Sequence, residues 1–318
     1  MLDLFFWGIL FLVSLFVLIK SSNVFTDNAE KLGLYLGMPA FLVGITIVSI
    51  GTSLPELISG LISVSAGAPE INVGNVIGAN ISNIFLVLGL SALVGKKLKL
   101  SRSLSKIDLP SMLIVSGLFI LVVFDGVVST MEALFLVLLF CVYITYTIKL
   151  DMKNKLKVKE HKEKVKLNKK IIPLLVGSAF FIYLGAKLTI DSVIALSEIF
   201  SVGKEIIAVT AFSIGTTLPE LTVSITAARK GNPEMAVGNI IGSTIFNALV
   251  VFGFPVFLGT LLFGGSILLS IPIFLLVALF FATVVFFFIN QDNEITRKEG
   301  VLLLIFYVIF IIKALGFI

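Results

Sequence analysis

GITIVSIGTSLPELISG (residues 44–60) and AVTAFSIGTTLPELTVS (residues 208–224) are two copies of one pattern. Each is followed by a second pattern, GAPEINVGNVIGANISNIF (67–85) and GNPEMAVGNIIGSTIFNAL (231–249). The offset is 164 residues throughout, with no gap: Gly51 maps to Gly215, Pro55 to Pro219, Glu56 to Glu220, Pro69 to Pro233, Gly74 to Gly238 and Asn83 to Asn247. Segments 44–95 and 208–259 therefore form an internal repeat, and self-similarity of this kind constrains a fold more than any local propensity.

The repeats lie in a chain made for lipid. Of 318 residues, 58% are hydrophobic and 14% charged, against about 25% charged in a soluble domain. Mean hydropathy is +1.13. A soluble enzyme, a disordered chain and a disulfide scaffold are all excluded, the last because Cys141 is the single cysteine. Ten apolar runs follow one another: 4–33, 39–66, 71–94, 109–124, 131–149, 171–199, 205–228, 235–260, 266–288 and 300–316. A helical span needs about 20 residues. The runs are continuous, whereas barrel strands alternate with period two over about 10 residues. The first run has no basic flank or small-residue cleavage site and is expected to be retained as a span. The expected fold is an all-α polytopic membrane protein with no enzymatic activity.

Charge gives the sidedness. Ten Lys fall between Lys149 and Lys170 and five Lys or Arg between Lys96 and Lys106. With ten spans these clusters share a side with Lys31, Arg229, Lys230, Arg297 and Lys298, leaving Lys204 and Lys313 on the other. The positive side is cytoplasmic, which puts both termini outside. The organisation expected is an N-terminal five-helix half (1–150), a basic cytoplasmic linker (151–170) and a C-terminal five-helix half (171–318). Five is odd, so the two halves enter the membrane in opposite directions. Inverted repeats of this kind build secondary transporters, with the site at the repeat interface near mid-membrane. Since the positive charge is topological, it argues for a lipid partner and against nucleic acid. Binding of anionic lipid by the linker is a second reading of the same charges.

Inside each repeat the chemistry is that of a broken helix. Pro55 has no N–H for the Gly51 carbonyl, and Pro219 none for that of Gly215. A break inside a membrane is tolerated where it lines a cavity or binds a ligand. Ser53 can cap the second half-helix, and Glu56 then sits in its first turn, where the helix dipole favours negative charge. Carbonyls of Ser49, Ile50 and Gly51 end the first half-helix, where it favours a cation. Thr52 and Ser53 add hydroxyls, and Ser213, Ile214, Gly215, Thr216, Thr217 and Glu220 repeat the arrangement. Asn83 and Asn247 contribute an amide from each following span. In both spans Gly spaced by four (Gly74 and Gly78, Gly238 and Gly242) permits close helix approach. Two carboxylates with neutral oxygens and no Cys or His form a hard set suited to Ca²⁺ or Na⁺.

These residues resemble a known family. GTSLPE with GNVIGANISN, and GTTLPE with GNIIGSTIFN, are similar to the two α-repeats of the sodium/calcium exchangers, within the cation/Ca²⁺ antiporter superfamily. The resemblance implies broken helices at the core, with ion sites clustered between the repeats. It implies central carboxylates at Glu56 and Glu220, and carbonyls at Ser49 and Ser213. It also implies hydroxyls at Thr52, Ser53, Thr216, Thr217 and Ser243, and side chains at Asn83 and Asn247. The implied activity is exchange of Na⁺ for Ca²⁺ by a monomer in the cell membrane, with no cofactor beyond the transported ions. Two positions depart from the family pattern. Ala79 stands where Ser is common, so one Na⁺ position lacks a hydroxyl, and Asn247 stands where K⁺-cotransporting relatives carry Asp, which implies K⁺-independent exchange. A Ca²⁺/H⁺ exchanger is the alternative, although such relatives usually pair an acid with His where this chain has Asn83 and Asn247. A cation channel is the alternative of another class.

Plainer readings exist for individual residues. Ser53-x-x-Glu56 and Thr217-x-x-Glu220 have the spacing of capping boxes. Asp27 and Asp191, also 164 apart, read as interfacial or structural. Lys20 and Lys187 read as snorkelling side chains, and His161 as a solvated linker residue.

Overall fold

The computed structural model describes residues 2–35, 49–95, 97–99, 108–155, 170–231 and 233–317. Helix dominates because lipid leaves backbone polar groups no partner but one another. Helix α1 (Leu2–Tyr35) is followed by the short α2 (Ser49–Thr52) and by α3 (Leu54–Ser65). Helix α4 (Pro69–Ser82) passes through a π turn (Asn83–Val87) into α5 (Leu88–Gly95), and α6 (Asp108–Val123) and α7 (Thr130–Lys155) complete the first half. The second half runs α8 (Ile171–Phe200), α9 (Lys204–Ile207), a π turn (Ala208–Phe212), α10 (Ser213–Thr216) and α11 (Leu218–Arg229). It continues through α12 (Pro233–Phe246), a π turn (Asn247–Val251), α13 (Gly253–Phe263), α14 (Ile273–Ile289) and α15 (Arg297–Ala314).

Among the described residues five helices are long and apolar enough to cross a membrane, and α9 to α11 make a sixth such segment bent by 42° at Thr217. Helices α3, α6 and α14 are shorter apolar helices. The spans after the breaks are innermost. In the most apolar stretch of Pro69–Gly95, 83% of residues are buried, against 22% in α1 and 28% in α8. Small residues make that burial possible: a Cβ on Gly74 would lie 2.7 Å from the Glu205 carbonyl oxygen, and one on Gly78 2.5 Å from that of Val209.

Packing between the halves is reciprocal. Helix α2 lies against α12 and α10 against α4, while α13 lies against α3 and α11 against α5. Helix α7 packs on α13, α15 on α5, and α1 on α8. Two hydrophobic cores result. One joins α4 to α7 with α12 to α15, and the other joins α1, α8 and the flank of the broken segments around Ile71, Ala208 and Phe212.

The structure adds three details to the expected layout. The fold is helical as expected, with four three-residue strands added that pair across the halves. β1 (Lys97–Lys99) pairs antiparallel with β4 (Glu294–Thr296), and β2 (Val127–Ser129) with β3 (Ser266–Leu268). The ninth apolar run is therefore divided. Residues 266–268 are strand, and the helix begins at Ile273 behind Pro272, whose fixed φ suits a helix start. The fifth helix continues to Lys155, into the stretch assigned to the linker, and residues 156–169, with His161, lie outside the described residues.

Candidate ion-binding site

Each break is one residue wide. Ser53 separates α2 from α3 and Thr217 separates α10 from α11, with Pro55 and Pro219 at the start of the second half-helix. The backbone stays close to helical across the break, with Ser53 N donating to Ser49 O at 3.1 Å and Thr217 N to Ser213 O at 3.0 Å. Glu56 and Glu220 occupy the first turn of the second half-helices. Both are wholly buried, and no Lys or Arg pairs with either among the described residues.

The reciprocal packing brings the two breaks together. The Ser53 hydroxyl, from the first half, donates to Glu220 Oε1 of the second at 3.0 Å. It makes no capping bond, and neither does Thr217, so the capping-box reading of both motifs is overturned. The Ser53 hydroxyl is turned across the halves to the carboxylate, and the Thr217 hydroxyl back to the Ser213 carbonyl of its own segment. Hydroxyls of Thr52 and Ser243 face the same Glu220 carboxylate. Thr216 faces Glu56 but donates elsewhere, to Asn75 Oδ1 at 3.2 Å and to Ser213 O at 3.3 Å. Both oxygens of Glu56 are left without a hydrogen-bond donor, as is Oε2 of Glu220.

The remaining predicted residues are buried as well. Thr52 donates to Ser49 O at 3.2 Å, and Thr217 also donates to Ser213 O. The carbonyls expected to be freed by the breaks, those of Ser49 and Ser213, thus each accept a backbone N–H and a hydroxyl of their own segment. Asn83 and Asn247 are fully buried, each opens a π turn, and both atoms of each amide lack a partner, as does Ser243 Oγ. A π turn rotates the residues beyond it relative to a continuous α-helix, and such turns recur at functional sites.

Two residues escaped the sequence reading. Asn75 holds the Thr216 hydroxyl across the halves. Asn239 donates to the Glu220 carbonyl at 3.4 Å and to Ser224 Oγ at 3.1 Å. They are each other's counterpart at the 164-residue offset, in the GNVIG and GNIIG runs. A repeated amide on an otherwise apolar span was the available signal.

An unpaired buried carboxylate oxygen is costly, by several kcal/mol where the group stays charged. The unpartnered atoms here are mostly oxygens: carboxylate, hydroxyl and amide carbonyl. Such a set can hold a hard cation, whose charge would offset both acids. It does not fit Zn²⁺ or Cu²⁺, which favour imidazole and thiolate, and among the described residues no three His, Cys, Asp or Glu cluster.

The family model described as sodium/calcium exchanger protein matches residues 6–149 and 170–316. The chain belongs to the sodium/calcium exchanger family. It is 31% identical to the sodium/calcium exchanger MaX1 of Methanosarcina acetivorans, over 96% of this chain and 97% of that one. It is similar, with a TM-score of 0.65 and 28% identity, to the sodium-calcium exchanger NCX_Mj soaked with 100 mM Na⁺ and 10 mM Sr²⁺, covering 96% and 97% of the two chains. The crystal structure of the H⁺/Ca²⁺ exchanger CAX has the same fold, with a TM-score of 0.77 at 15% identity, covering 97% of this chain and 86% of that one. As an exchanger-family protein with long apolar helices, the chain is an integral membrane transporter.

Proposed function

We propose that this exchanger moves Na⁺ against Ca²⁺ by alternating access, at a site built on Glu56 and Glu220. The observation that carries the reading is the pair of wholly buried carboxylates, one from each half, joined by the Ser53 to Glu220 hydrogen bond and otherwise short of donors. Ca²⁺ takes about 6–8 oxygens. Thr52, Ser53, Asn83, Thr216, Thr217, Ser243 and Asn247, with the Ser49 and Ser213 carbonyls, supply the neutral ones once the hydroxyls on those carbonyls turn away.

Charge balance gives the coupling. Two carboxylates neutralise one Ca²⁺ or two Na⁺, and neutral oxygens admit a further Na⁺. The unloaded site keeps two acids unpaired in the membrane interior, at several kcal/mol each. Reorientation without an ion is therefore disfavoured, and transport is exchange and not leak. The reciprocal packing of the halves supports two inverted sets; ten spans, both termini outside and a cytoplasmic basic linker are the reading of the apolar runs and the charge distribution. A monomer suffices, because both carboxylates come from one chain.

The likeness to the CAX fold favours a second reading, exchange of H⁺ for Ca²⁺. That reading calls for titratable groups beside the carboxylates, and Asn83 and Asn247, the side chains opening the π turns, do not titrate. The test is Ca²⁺ uptake into vesicles holding the purified protein. An outward Na⁺ gradient should drive it and a pH gradient should not; uptake driven by pH alone supports the second reading, and uptake without either gradient indicates a channel.

A further inference from the structure

One buried polar contact ties α15, outside both repeats, to the end of α4 in the first repeat. Tyr307 on α15 is 7% exposed, and its hydroxyl shares a 3.1 Å hydrogen bond with that of Ser82, which is fully buried. Ser82 is the last residue of α4, and the next residue, Asn83, opens the π turn with both amide atoms unpartnered. A π turn holds one extra residue in the helical ladder, and its registry fixes where the following side chains point. A bond from a neighbouring helix to the residue before the turn pins that registry.

The second half lacks this contact. The counterpart of Ser82 is Phe246, whose ring sits 5.3 Å from that of Phe140. The two π turns are thus held differently, one by a hydroxyl pair and the other by aromatic packing. The hydroxyl pair belongs to the half in which Ala79, one helical turn before Asn83, offers no oxygen where the other half has Ser243. Asn83 is therefore the amide on which that side of the site most depends.

We propose that Tyr307 is a positioning residue for cation binding: through Ser82 it holds the Asn83 amide toward the carboxylate pair. The inference rests on the ion-site reading of Glu56 and Glu220 but not on the identity of the coupling ion. Tyr307→Phe removes the hydroxyl and keeps the ring packed near Phe310. Ser82→Ala removes the other partner.

The test is titration of purified protein with Na⁺ and with Ca²⁺, read as ion-dependent protection against thermal unfolding, together with flux in vesicles. Each variant should raise the half-saturating Na⁺ concentration about two- to tenfold, as expected for one net hydrogen bond. Maximal flux should hold, Ca²⁺ half-saturation should move less, and the double variant should equal either single one. A fall in ion-free melting temperature with unchanged half-saturation, or additive effects of the two substitutions, overturns the proposal and leaves a packing contact. If the wild-type chain binds these ions but does not exchange them, only the exchange reading falls. If it binds neither, both fall.

Discussion

The two acids differ more than the repeat implies. Glu220 accepts the Ser53 hydroxyl, whereas Glu56 has no donor on either oxygen. Part of the asymmetry is covalent, since Ala79 occupies the position matched by Ser243 in the other half. Both are fully buried, so a hydroxyl placed at 79 has no water to face. Ala79→Ser should lower the Na⁺ concentration for half-maximal exchange several-fold, and Ser243→Ala should raise it by a similar factor, because one such contact is worth about 0.5–1.5 kcal/mol. Ca²⁺ dependence should change less, as the carboxylates dominate its binding. Flux measured against Na⁺ concentration checks both, and an unchanged curve for Ala79→Ser means another oxygen already serves that position.

At the scale of elements, the close contact of α4 with the 208–213 segment decides whether the two breaks can meet. A Cβ on Gly78 would sit 2.5 Å from the Val209 carbonyl oxygen and 2.7 Å from Ser213 Cβ, so something must shift. Gly78→Ala should destabilise the protein by about 1–3 kcal/mol, the usual cost of overpacking. Gly8→Ala on the outer face of α1, with nothing within 4 Å of the added methyl, should leave the melting temperature the same or slightly higher. Equal melting temperatures for the two variants would show that α4 and this segment are looser than described. The repeat made these elements legible in advance, since proline and glycine at matching positions fix a break and a close approach by sterics alone. The division of 266–288 was not legible, because Ile267 and Leu268 are as apolar as the helix that follows and their strand partner is more than a hundred residues away in sequence. The π turns at 83 and 247 carry no local signal either, as each continues an apolar helix.

Across the whole molecule the proposed site depends on the interlocking of the halves: Ser53 of one meets Glu220 of the other, and Asn75 of one holds Thr216 of the other. The sequence carried the identity of nearly every polar group here, but not these pairings, which depend on how two distant segments cross. It suggested local capping for Ser53, and only the crossing redirects that hydroxyl. Asn247 is neutral where a third carboxylate would hold an additional cation. Replacing K⁺ by choline on both sides of a vesicle should therefore leave Na⁺-driven Ca²⁺ flux unchanged, and a clear loss would assign K⁺ a place in the cycle. The central claim is that Ca²⁺ crosses on one carboxylate from each half. It is tested most directly by isotopic Ca²⁺/Ca²⁺ exchange in vesicles carrying Glu56→Gln or Glu220→Gln, each of which keeps side-chain volume and removes one of the two balancing charges. Either variant alone should fold with near-native helicity and show no exchange above protein-free vesicles, whereas near-normal exchange in either would contradict the account.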